Sequence, residues 1–382
     1  MLNFLILMVL PIVVAIGSIL YFKEKVTLPE FGAQLGIPAV CMLLGLAIAY
    51  AQSTTDIEVW NGRITQKTSE RVSCRHSYPC NCREVCSGTG KDRSCSTVCD
   101  TCYEHSFDID WDVHASTGEV LTIDTVDRQG LTMPPRWGAA YIGEPFSSSH
   151  YYTNYILANP DSVLLGGKGD QEKFKALLPR YPSDISDYYR VQHVVNMGVP
   201  IPTETLSQWE WLLDEVNGDF GVQKQVNVTL LFVPTADPSY MLALKDHWIG
   251  GKKNDAVVVI GSLDGHRIAF ADVLSWSPVA AFKVVLKDDI LRIGSLDKRD
   301  DIVMAIKAAV GSKFERLHMK DYQYLVRSFQ PSAGAMLFLF IFGIALSGGL
   351  AYFVITNDIT DGGTYYGKSR SYRDQPRWDR RR

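Results

Sequence analysis

Apolar residues are unevenly spread along this chain. They form three long blocks, and between the second and third they fall into the shorter rhythms of a folded body. Residues 2–22 are apolar apart from Asn3, Pro11 and Ser18. Residues 31–51 form a second block, cleanest over 37–51, and residues 333–355 form the third. About 20 apolar residues cross the hydrocarbon core of a bilayer, so each block predicts a transmembrane helix. No basic residue precedes the first block, and Lys23 and Lys25 follow it, which favours a retained helix over a cleaved signal peptide. A short link carrying Pro29 makes the first two segments a helical hairpin. Gly45 and Ala49, with Cys41 one turn earlier, make one small-residue face, on which Cys41 reads as a small apolar side chain. Gly343, Ser347 and Ala351 make another. Such faces let helices approach closely. The second face suits docking on the hairpin or on another copy of the chain.

The body carries other periods. Residues 107–114 alternate strictly between apolar and polar, which predicts a half-buried strand. Ser116-Thr-Gly118 turns the chain and residues 119–125 return as its partner. Asp108, Asp110 and Asp112 fall on the outer face and read as solvated, with calcium as the alternative. Signals weaken over 136–220. Residues 147–155 predict a loop leading into a helix, and residues 173–178 a short helix. Thr203 caps a helix over 204–216, with Leu206, Trp209, Leu212, Leu213 and Val216 at helical spacing. Residues 226–233 read as a continuous apolar strand, and Asp237 and Pro238 open a helix running through Leu244 to Trp248. Residues 256–261 predict a second buried strand, turned by Leu263-Asp-Gly-His266 into a hairpin with 267–274. Helices follow at 279–290 and 298–314. This order predicts a mixed α/β sandwich.

Seven of the eight cysteines crowd into one stretch: Cys74, Cys80, Cys82, Cys86, Cys95, Cys99 and Cys102. Two fates compete. Disulfides would leave three bridges and one thiol, or a bridge to another chain. Zinc would use the Cys99-x-x-Cys102 pair, with His76 and His105 as flanking nitrogen ligands. Basic residues arbitrate. Lys23 and Lys25, and then Lys368, Arg370, Arg373, Arg377 and the terminal arginines, fall on one side of a three-span topology. That side is the cytoplasm. Residues 52–332 are then periplasmic or extracellular, where disulfides are the default. The tail, 357–382, is Gly-, Ser-, Tyr- and Arg-rich and reads as disordered, its arginines suited to anionic lipid headgroups. A net charge of -4 over 382 residues gives no reason to expect nucleic acid.

One stretch resembles a known family. The first apolar strand ends at Thr235, Lys245-Asp-His-Trp-Ile-Gly-Gly-Lys-Lys-Asn-Asp255 precedes an apolar strand, and two helices close the segment. Residues 226–314, less than a quarter of the chain, thereby resemble the TPM domain family. The resemblance implies an α/β sandwich outside the cytoplasm, tethered by membrane helices and contacting membrane complexes. It also implies weak acid phosphatase activity or metal binding in some members. The family's Gly-x-Gly-x-Glu segment is absent; Asp272-Val-Leu-Ser-Trp276 stands there, which counts against hydrolysis.

Chemistry-bearing residues are few. Asp237, Asp255, Asp264 and Asp272 are a candidate cation site if they converge at one strand end. Gly250 and Gly251, beside Lys252 and Lys253, are a candidate anion-binding turn, although P-loop spacing is missing. No nucleophile-and-base arrangement stands out. No cofactor is assured; a divalent cation, calcium or zinc, is the candidate.

The expected protein is an α+β membrane protein with three transmembrane helices, a Cys-rich β module and a TPM-like α/β sandwich domain. Its expected segments are a hairpin at 1–51, the β module at 52–135, a helical or irregular connection at 136–220, the TPM-like domain at 221–330, a helix at 333–355 and the tail. It reads as a binding or scaffold protein with membrane lipid, a membrane-protein partner or a second copy as contacts. A metal-dependent phosphohydrolase is the alternative.

Overall fold

A computed structural model of the chain describes residues 2–22, 26–87, 94–158 and 170–357. The chain forms two units, Met1–Thr54 with Val326–Arg382, and Thr55–Leu325.

The first unit contains α1 (Leu2–Tyr21), α2 (Leu28–Thr54) and α9 (Ala333–Asn357). All three are long and apolar enough to cross a membrane. The Glu30 carboxylate caps α2, accepting from the N–H and the hydroxyl of Thr27 at 2.9 Å each. The Ser18 hydroxyl donates to Gln34 Oε1 at 2.6 Å, a polar pin between α1 and α2. Both small-residue faces pack inside the bundle. A Cβ on Gly45 would collide with Leu339, and one on Gly343 would lie 2.9 Å from Met42 Cε. The α9 face thus meets the hairpin. The outward positions, Leu5, Val13, Leu44, Phe338 and Phe353 among them, are exposed. Lys23, Lys25 and the basic tail after 357, on which the orientation rests, lie outside the described residues.

The second unit is built on β1 (Thr55–Val72). With β4 (Asp108–Ala115), β5 (Val120–Ile123) and β6 (Pro145–Thr153) it forms an antiparallel sheet ordered β5-β4-β1-β6. Residues 55–63 of β1 pair with β6 and residues 64–72 with β4, across a bulge between Ile64 and Gln66. β2 (Ser77–Ser87) and β3 (Ser94–Tyr103) form a separate two-stranded arm. The short α3 (Pro135–Ala139) sets Trp137 edge-on against Trp111, centroids 4.7 Å apart.

Two expectations fail here. Residues 147–153, read as part of a loop leading into a helix, belong to β6, and a short 3-10 turn follows at Tyr155–Ala158. The strand's inward face is partly polar, with Ser147 donating to Asn61 Oδ1 at 2.7 Å, so it lacks an apolar alternation. Asp108 and Asp110 are not solvated; they are 6% and 8% exposed. The loop at 73–76 covers them. Asp108 accepts from the Arg75 N–H at 2.8 Å, and Asp110 pairs with the Arg75 guanidinium.

The second sheet runs β10-β9-β8-β7. β7 (Val194–Asn196), β8 (Asn227–Val233) and β9 (Asp255–Gly261) are parallel, and β10 (Phe270–Leu274) returns antiparallel. One face is covered by α5 (Thr203–Lys224), α7 (Ala280–Ile293) and α8 (Arg299–Lys313). The other carries α6 (Tyr240–His247) and Phe174 from the single turn α4 (Gln171–Phe174). Every residue of β8 and β9 is buried. Two covered faces are why these strands read as unbroken apolar runs.

The 136–220 stretch, expected to connect domains, therefore supplies β6 to one sheet and β7 and α5 to the other. α5 also runs on past Val216 to Lys224. Asn217-Gly218 looks like a helix stop. In the fold the Asn217 side chain pairs with both backbone groups of Val228, at 2.7 and 2.9 Å. Gly218 and Gly221 then let the helix lie against β1, where a Cβ on Gly221 would collide with the Asn61 carbonyl.

Gly221→Ala sets two effects against each other. Alanine gains about 1 kcal/mol of helix propensity. Overpacking against a backbone carbonyl that cannot rotate away costs about 1–3 kcal/mol. We expect net destabilisation, seen as a lower urea midpoint in tryptophan fluorescence; an unchanged or higher midpoint would show that α5 and β1 have room to part.

Candidate functional site

Six of the seven clustered cysteines are consumed by three disulfides, Cys80–Cys102, Cys82–Cys99 and Cys86–Cys95, which rung the β2–β3 arm along its length. Cys86 and Cys95 are direct cross-strand partners. Cys80 and Cys102 are two positions out of register, and Cys82 meets Cys99 at the bulge between Cys80 and Arg83, where Asn81 has φ of 47°. The zinc reading through Cys99 and Cys102 is thereby corrected, because a thiol in a disulfide offers no thiolate. Cys74 is the thiol left over, and it is buried. Nearly every described arm residue is exposed, Tyr78, Val85, Val98 and Tyr103 included.

The candidate anion-binding turn does something else. Ile249, Gly250 and Gly251 all have positive φ, and the Gly250 N–H closes the end of α6 by donating to the Lys245 carbonyl at 2.7 Å. That reversal aims the next four residues at the seam between the sheets. Lys252 pairs with Asp56 of β1. Lys253 meets Glu58 at 3.3 Å, and Arg316 pairs with the same carboxylate. The Asn254 amide donates to the Val59 carbonyl at 2.7 Å. Both lysines also lie over aromatic faces, Lys252 over Tyr181 and Lys253 over Tyr152. Their charges are matched internally, so the turn is a staple onto β1 rather than a cradle for an anion.

Asp255 is fully buried. It accepts from the Tyr181 hydroxyl at 2.7 Å, the Lys252 N–H at 2.7 Å and the Asn227 amide at 3.3 Å. Burial pushes its carboxyl up to about 6 against those hydrogen bonds and the nearby Lys252 charge. Tyr181 is raised well above the usual phenol range by burial and by Asp255.

The four candidate cation ligands do not converge. Asp255 opens β9, whereas Asp264 follows its far end, about 20 Å along at roughly 3.3 Å per residue. Asp264 accepts from the backbone of His266 and Arg267 in its own turn. Asp237 pairs with Lys173, and Asp272 lies 3.5 Å from Lys287.

A further buried group lies around His193, unannounced by any pattern in the chain. His193 Nδ1 lies 2.9 Å from Asp214 and its Nε2 3.3 Å from Asn61 Oδ1. Glu210, whose carboxyl is raised by burial, accepts from the backbone of His193 and Val194. Each member is committed to a neighbour, and a lone histidine in a weakly patterned segment carries no advance signal.

Comparison with known proteins finds no matching family model, no matching curated protein and no matching solved structure.

Two measurements follow from this geometry. Alkylation of the denatured, unreduced chain should label Cys41 and Cys74 alone, and all eight cysteines after reduction; labelling of arm cysteines before reduction would refute the ladder. The second concerns Asp255. Its folded pKa of about 6 lies above the ordinary carboxyl value near 4, so folding favours its neutral form. That contribution is full below about pH 4 and is lost as pH rises through about 6, on the order of 3 kcal/mol. Wild-type stability should therefore fall relative to Asp255→Asn across that window, and parallel pH profiles would contradict the assignment.

Proposed function

We propose that this protein is a membrane-anchored binding and scaffold protein that assembles or modulates a membrane complex. Residues 52–332 are held outside the cytoplasm, and the basic tail lies inside against anionic lipid. The observation that carries the reading is the β2–β3 arm. A two-stranded ribbon is marginal in water without a core. Three disulfides hold this one where no apolar packing does, and its side chains are left facing out. A surface stiffened in advance loses little conformational entropy on binding. Exposed tyrosines at the arm's root, Tyr78 and Tyr103, are the residue type that interfaces favour. Disulfides suit an oxidising compartment outside the cytoplasm. The TPM-like order of residues 226–314 supports the same role, and the layered α/β sheet is compatible with it. Hydrolysis loses ground, because its four aspartates are apart and its two lysines are neutralised.

Mild crosslinking in the host membrane tests this. A membrane-protein partner should be captured by the wild type and lost with Tyr78→Ser/Tyr103→Ser, while exposed Trp211→Ser retains it. Capture that ignores the arm would overturn the reading. So would metal-dependent turnover of a generic phosphate ester that Asp237→Asn or Asp255→Asn abolishes, which would restore the enzyme.

A further inference from the structure

The one cysteine of the cluster left outside the ladder is not alone. Cys74 Sγ lies 3.7 Å from His105 Nδ1, and that nitrogen lies 3.4 Å from Asp108 Oδ1. All three atoms fall within 4.8 Å of one another. A tetrahedral zinc, with bonds of about 2.3 Å to sulfur and about 2.0–2.1 Å to nitrogen or oxygen, sets its ligands about 3.6 Å (S to N) and about 3.4 Å (N to O) apart. The S-to-N and N-to-O edges match those of a coordination tetrahedron.

Asp108 supplies a second, independent sign. Its side chain is 9% exposed, yet Oδ1 makes no well-aligned hydrogen bond and has only the His105 ring nitrogen 3.4 Å away. A buried carboxylate oxygen so poorly satisfied costs free energy unless a cation or proton meets it. The other oxygen is already fixed, accepting from the Arg75 N–H at 2.8 Å. The sulfur is fixed in the same way, accepting from the His76 N–H at 3.4 Å. Two consecutive backbone amides thus orient two ligands, the outer-shell support that metal sites use.

We infer that Cys74, His105 and Asp108 bind one zinc-type divalent cation at the root of the arm, with the fourth position left to water. Sulfur and imidazole select against calcium and magnesium. The remaining cluster cysteines are sealed in disulfides and cannot compete for the ion. Binding displaces the Cys74 thiol proton to solvent. The site sits where the chain enters and leaves the ladder, between Cys74 and Ser77 and between Tyr103 and Asp108. The cation would therefore clamp the base of the arm to the edge of β4.

The test uses the full chain in detergent, without reductant, stripped by chelator and titrated with zinc and then cobalt. We expect one zinc per chain and a cobalt form with tetrahedral ligand-field bands and a sulfur-to-cobalt charge-transfer band. Cys74→Ser should lose the charge-transfer band. His105→Gln and Asp108→Asn should weaken binding about tenfold or more. Asp108→Asn keeps an oxygen for the Arg75 N–H, so the fold is retained. Zinc should also shield Cys74 from alkylation. Absence of the charge-transfer band in the wild type overturns the inference whatever the variants do, as does zinc binding that Cys74→Ser leaves unchanged.

Discussion

The second unit depends on two carboxylates of one strand meeting three cations from another layer. Asp56 and Glu58 sit two residues apart, so they share a face of β1. Glu58 is fully buried and Asp56 nearly so. Removing such charges from water costs several kcal/mol each, and the cost is offset only when partners stand in place. Lys252, Lys253 and Arg316 are those partners. The seam between the antiparallel sheet and the layered α/β sheet is thus specified by charge and hydrogen bonding, beside an apolar cluster in which Tyr152 and Ile156 meet Trp276, Leu317 and Met319. Asn61, Asn217, Asn227 and Asn254 extend the same logic with neutral groups. Losing Lys252 strands Asp56, and losing Lys253 or Arg316 leaves buried Glu58 with one cation of two, so the arrangement tolerates few alternatives.

What could be read from sequence divides along distance in the chain. The membrane-length helices, the β4–β5 hairpin and the β8–β9–β10 run were legible, because length, hydropathy and period are local properties. The role of Lys252 was not. Beside two glycines it reads as an anion ligand, since nothing nearby reveals Asp56, 196 residues earlier. The same blindness hid β6, whose buried Ser147 answers a distant asparagine, and the last two turns of α5, whose glycines serve contact with β1. The odd cysteine count left open three bridges with a spare thiol, a bridge to another chain, and zinc; the fold has three bridges. Which thiol was spare required the fold.

The arm shows a different way to reach order. Elsewhere in the unit, strands hold because both faces are covered. β2 and β3 have almost nothing covering them and rely on covalent rungs instead. Only their root, around Cys74, Arg75 and Asp108, is drawn into the body.

β1 also fixes when the unit can finish. It is the first strand of the body to be synthesised, yet the last of the cations that meet Glu58, Arg316, lies 258 residues later. Contacts so far apart close slowly and leave unpaired edges exposed meanwhile. The seam on its opening strand therefore closes in stages set by the chain itself, Asp56 and Glu58 gaining cations only once Lys252 and Lys253 are delivered and the set being complete only with Arg316.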